Sequence, residues 1–81
     1  MSRISRKVRR IVAEVGAIPR RAVQPNMRLE DDLCLDRIDR IEIVVACEKA
    51  TDARVAGEDD WRTVADIVAA CRTAVMYGDV P

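Results

Sequence analysis

Three cysteines, Cys34, Cys47 and Cys71, and the carboxylates around Asp36 and Asp39 are the residues whose types could do chemistry in this chain. Thiolates ligate zinc and attack carbonyls, but no two of these cysteines are close in sequence. Neither a zinc site nor a disulfide framework is predicted. Histidine is absent, which removes the commonest general base and metal ligand. No catalytic residue, no metal site and no enzymatic activity are expected. Cys34 stands just before a helix start, where a thiol pKa tends to fall, although a packed loop thiol is the plainer reading. Cys47 and Cys71 fall on apolar helical stripes and read as small core residues.

The elements that would position these groups are helical. Ile4, Val8, Ile11, Val12 and Val15 recur at helical spacing, and Gly16 is a natural stop beyond them. From Ala17 to Leu35 the pattern is lost. Pro19 and Pro25 forbid a continuous helix, leaving a long ordered loop pinned by Ile18, Val23, Met27, Leu29 and Leu33. Loops of that length in small domains usually do something. A second helix opens at Asp36, whose carboxylate caps the first N–H groups, with Asp39 in the favourable first turn. Asp36 and Arg40 form an i, i+4 pair in the better order, and the helix should run to about Ala50. Residues 51–60 are polar and admit at most one helical turn. Thr63 and Asp66 resemble a capping box opening a last amphipathic helix through Val64, Ile67, Val68, Cys71 and Val75, with Gly78 and Pro81 ending the chain. No internal repeat or strand-like alternation is present. The predicted fold is all-α: three main helices, one short one and a long first loop, in a single domain over residues 1–81.

Bulk properties agree. With 81 residues and 49% hydrophobic content the chain can bury one small core. Aromatic residues are nearly absent, so Ile, Val, Leu, Ala and Cys must fill it. Fourteen basic and fourteen acidic residues cancel, but Arg3, Arg6, Lys7, Arg9 and Arg10 all precede the first acid, Glu14. Such a start could belong to a mitochondrial presequence or to a nucleic-acid-binding helix. It fits better as the solvated face of the first helix, because the apolar spacing continues unbroken and no aromatic interleaves with the charges. No run approaches a membrane span and no secretory signal is seen, so a cytoplasmic location is predicted.

The second helix carries two apolar stripes. Ile43, Cys47 and Ala50 lie on one side, and Ile38, Ile41 and Val45 largely on the other. Either this is a central helix buried all round, or the second stripe is a docking surface ringed by Arg37, Arg40, Glu42 and Lys49.

These residues also carry a resemblance. "VQPNMRLEDDL" resembles the loop of the acyl carrier protein family that ends in an acidic pair and Leu. "DLCLDRIDRIEIVVACE" is similar to that family's "DLGxDSLDxVELVxxLE", and "TVADIV" to the "TVGDAV" that opens its last helix. The resemblance implies a bundle of three main helices plus a short one, with a long loop between the first two. It also implies 4′-phosphopantetheine carried on a serine at the start of the second helix. Here that position is Arg37, which has no hydroxyl and cannot anchor a phosphodiester. No attached cofactor is therefore expected. The family glycine is Cys34, and Arg40 replaces a neutral residue.

The expected function follows from that departure: a non-enzymatic module of acyl-carrier fold, without phosphopantetheine, acting as scaffold or regulator in fatty acid, polyketide or related acyl metabolism. It would dock a protein partner through Asp36, Arg37, Ile38, Arg40, Ile41, Glu42, Val45 and Lys49, as a monomer or weak homodimer, without nucleic acid. One alternative is a genuine carrier with a non-standard attachment point, such as an acyl group on Cys34. Another is a small basic-helix module binding nucleic acid or an anionic surface.

Overall fold

A computed structural model describes residues 2–77. Its order is α1 (Arg3–Gly16), a 3₁₀ turn (Arg20–Ala22), α2 (Arg37–Thr51), a second 3₁₀ turn (Glu58–Asp60) and α3 (Val64–Tyr77). The all-α bundle predicted from periodicity is what forms, with no named strand among the described residues and one isolated bridge, Arg28 to Thr63. Gly78 and Pro81, read as ending the chain, lie outside the described residues.

Helix α1 starts because the Ser2 hydroxyl accepts the Ser5 N–H at 3.1 Å, satisfying one orphan donor of the first turn. Val8, Ile11 and Val12 are buried, and Ile4 and Val15 pack against the same core. The stop lies one residue beyond the expected one. Gly16 is still helical, and Ala17 takes the left-handed conformation at φ 56°. The Ile18 N–H then reaches back to the Ala13 carbonyl at 3.0 Å, closing the helix as a left-handed cap does.

The long loop is ordered by its own backbone and by α3. Val23 and Leu29 are buried, and Ile18, Met27 and Leu33 are half-buried, as predicted. The unforeseen 3₁₀ turn at Arg20–Ala22 follows Pro19, whose fixed φ suits the entry to a turn. The Leu29 N–H donates to Arg62 O at 2.9 Å, Val64 N–H to Met27 O at 3.1 Å and Ala65 N–H to Pro25 O at 2.9 Å. Two N–H groups that the first turn of α3 leaves without intrahelical partners are thus satisfied by the loop. Within the loop, Leu35 N–H returns to Leu29 O at 2.8 Å, which fixes where α2 begins.

Among the described residues, all fifteen buried ones are apolar or cysteine, and no charged or polar residue is buried. Ile43 and Cys47 from α2 meet Ile67 and Cys71 from α3 and Val8 and Val12 from α1 in one cluster. Cys47 and Cys71 are core residues, as their stripes suggested. Contact with Cys71, then burial, raises the Cys47 thiol pKa far above its ordinary range, so it stays protonated.

Candidate functional site: the start and outer face of α2

Asp36 caps α2 as expected, and Asp39 completes a reciprocal box. The Asp39 N–H donates to Asp36 Oδ1 at 2.8 Å, and the Asp36 N–H donates to Asp39 Oδ2 at 3.0 Å. Arg37 is the first helical residue and is exposed. Two residues before the cap, Cys34 is exposed and left-handed at φ 55°. A glycine adopts that conformation without strain, while a side chain there costs free energy. The geometry gives a physical reason for the glycine of the motif this segment resembles.

The two stripes of α2 are resolved by burial. Ile43 is fully buried and Cys47 nearly so, while Ile38, Ile41 and Val45 are 66%, 49% and 45% exposed. At about 100° per residue the three exposed side chains point away from the core. They form a continuous apolar strip one residue wide. Arg37 flanks it on one side, and Glu42 and Lys49, both exposed, flank it on the other.

Arg40 does not belong to that rim, and here the sequence reading is corrected. Its guanidinium is only 14% exposed and donates to Trp61 O at 2.6 Å and Glu58 O at 3.0 Å, with Glu30 Oε1 at 3.6 Å. The expected Asp36–Arg40 pair is replaced by this inward staple, which ties α2 to the second 3₁₀ turn and the long loop. The angular position of residue 40, one turn from Ile43 and two from Cys47 on the same side of the helix, explains the choice. Backbone carbonyls of a turn distant in sequence cannot be found by local pattern, so Glu30, Glu58 and Trp61 were not legible as its partners. Glu48 is similarly engaged, accepting the Val55 N–H at 2.9 Å. At the other end of α2, Lys7 of α1 donates to Ala50 O at 3.0 Å, where a cation complements the helix terminus.

Beside Arg37, a cleft of about 70 Å³ is lined by Arg37, Arg40, Ile41, Glu58 and Asp59. It is far smaller than ordinary ligand pockets, which begin near 300 Å³. A phosphodiester-linked arm needs a hydroxyl anchor, and position 37 offers only guanidinium donors. The two serines lie at the opposite end of the sequence, where Ser2 Oγ accepts from the Ser5 N–H and from Arg72. The residues at the start of α2 therefore do not fit 4′-phosphopantetheine. Among the described residues no cluster of His, Cys, Asp or Glu could hold a metal. No described helix is long and apolar enough to cross a membrane.

No family model matches the chain. An acyl carrier protein of Acidothermus cellulolyticus is 37% identical to it over 60 residues, covering 72% of this chain and 71% of that protein. Together with the three-helix bundle and the capped start of α2, that similarity decides the family: the chain belongs to the acyl carrier proteins.

Proposed function

We propose that this protein is a non-catalytic acyl-carrier-type module that carries no phosphopantetheine and acts by docking a protein partner of acyl metabolism through the outer face of α2. The observation that carries the reading is Arg37, exposed at the first helical position, where an attachment hydroxyl is required and only N–H donors are offered. The exposed strip of Ile38, Ile41 and Val45 supports the docking part. Apolar anchors at i, i+3 and i+7 are what a helix presents to a groove. Asp36, Arg37, Glu42 and Lys49 form its polar rim, a mixture of charges that selects against partners built for a uniformly acidic helix. Arg40 serves this surface only indirectly, by holding α2 in place.

Intact-mass spectrometry after incubation with coenzyme A and a broad-specificity phosphopantetheinyl transferase tests the first part. An unchanged mass is expected, and an adduct anywhere on the chain would falsify the non-carrier reading. Docking is tested by comparing the wild-type protein with Ile41→Ser as bait against candidate enzymes of acyl metabolism. A partner bound equally well by both would remove the strip from the interface.

A further inference from the structure

The chain is neutral overall but its charges are segregated. Eight of its fourteen basic residues precede Leu29, against one of its fourteen acids, Glu14. Tertiary structure sorts the five of these on α1 into two groups. Lys7 and Arg9 point their heads at backbone carbonyls, Lys7 at Ala50 and Arg9 at Val23 and Arg20. Arg3, Arg6 and Arg10 are exposed, spaced by three and four along α1, and so lie within a sector of about 60°.

Arg20 and Arg21 of the first 3₁₀ turn widen the group alongside the second half of α1, because Arg9 bonds that turn to the helix and Arg20 lines one cleft with Arg10. Arg72 of α3 extends it at the other end, donating to Ser2 Oγ at 3.0 Å. Arg28 is paired with Asp31 and Arg40 with Glu30, whereas among the described residues no ion pair engages Arg3, Arg6, Arg10, Arg20 or Arg21. The result is a ridge of guanidinium groups along one side of α1 and its adjoining turn, broken by the exposed carboxylate of Glu14 one turn beyond Arg10 and beside Arg20.

The chemistry of the ridge narrows its partner. All of its basic residues are arginines, whose planar fork suits phosphate oxygens. The apolar stripe of α1, Val8, Ile11 and Val12, is spent in the core, so α1 has no face left to insert between lipids as an interfacial helix does. Val75 and Met76, exposed one turn beyond Arg72 on α3, are apolar groups at that end, but α1 and the Arg20–Ala22 turn present no exposed aromatic or large aliphatic anchor of the kind that carries most interface energy. What remains is a narrow, convex, purely electrostatic contact. Against the expectation from the sequence, which set a nucleic-acid role for the first helix aside, we infer that the arginine ridge formed by α1 and the Arg20–Ala22 turn binds the phosphate backbone of duplex nucleic acid without sequence preference, a second interaction independent of the α2 face.

Fluorescence anisotropy of a labelled duplex of about 20 base pairs with the full-length protein tests this. Neutralising about five phosphates, one per exposed arginine of α1 and the turn, predicts affinity falling on the order of 500-fold between about 50 and about 200 mM salt. The triple variant Arg3→Gln/Arg6→Gln/Arg10→Gln should weaken binding and lower the salt slope by about three. Arg20→Gln/Arg21→Gln should lower it by about two, which keeps the test decisive if the triple variant folds poorly. Arg62→Gln, exposed in the loop beside Glu30 and Asp59, should leave affinity unchanged. The inference is overturned by absence of binding at the lower salt, or by equal binding of both arginine variants. It is also overturned if vesicles containing phosphatidylserine bind in an arginine-dependent way while the duplex does not.

Discussion

At position 37 the side chain is exposed and free to be exchanged, whereas at position 40 it holds three segments together. Two arginines in one helical turn thus have opposite structural standing, and this sets the outcome of restoring the family serine. Because the Arg40 charge is turned inward, Arg37→Ser alone should accept phosphopantetheine from the transferase, read as a mass adduct. Adding Arg40→Thr should not improve loading and should cost about 2 kcal/mol of stability, the scale of lost charge-assisted hydrogen bonds. Better loading of the double variant would mean that the charge at 40 is felt by the transferase. Cys34 is the other informative residue. Its left-handed φ of 55° is strained for any side chain, so Cys34→Gly should raise stability by up to about 1 kcal/mol, seen as a higher Tm. An unchanged or lower Tm would show that the thiol packs well enough to offset the strain.

At the scale of elements, each helix start is held by a carboxylate or hydroxyl, and the start of α3 titrates. Asp66 Oδ2 accepts the Arg62 N–H at 2.8 Å and the Thr63 N–H at 2.9 Å. These bonds, the Arg62 one first, hold the Asp66 pKa below its ordinary 3.8. A depressed folded-state pKa contributes stability that is fully present above the unfolded value. That stability is lost as pH falls through the folded one. Asp66→Asn should therefore lower Tm at neutral pH, and the gap to wild type should close as pH drops below about 4. A gap independent of pH would assign the effect to the hydrogen bonds of the neutral amide and not to charge. Half of the anticipated Thr63–Asp66 box is thus the functional half, the part in which Asp66 reaches back.

For the whole molecule, the decisive arrangement is three helices around a core too small to cover α2 on both sides. Ile43 is fully buried and Ile41 is about half exposed, so paired melts should separate them. Ile43→Ala should cost about 2–5 kcal/mol through lost burial and cavity formation. Ile41→Ser should stay within about 0.5 kcal/mol, as surface changes do. Large, equal losses would put Ile41 in the core and remove the strip as a docking face.

What the chain determined locally was read directly from its sequence. The spacing of Ile4 to Val15 and of Val64 to Val75 specified helices, because side-chain periodicity is a property of single elements. Asp36 and Asp39 specified the start of α2, because capping acts across three residues. The replacement of the attachment serine by Arg37 was also visible, since side-chain chemistry does not depend on fold. Tertiary structure alone decided the rest. It chose which stripe of α2 faces solvent, because both are apolar and only the number of packing neighbours distinguishes them. It turned Arg40 inward to carbonyls of Glu58 and Trp61, acceptors that exist only once the second 3₁₀ turn docks. It also divided the first helix's cations into Lys7 and Arg9, which bond to other elements, and Arg3, Arg6 and Arg10, which face water. That division depends on where α2 and the loop lie in space, and no local spacing encodes it.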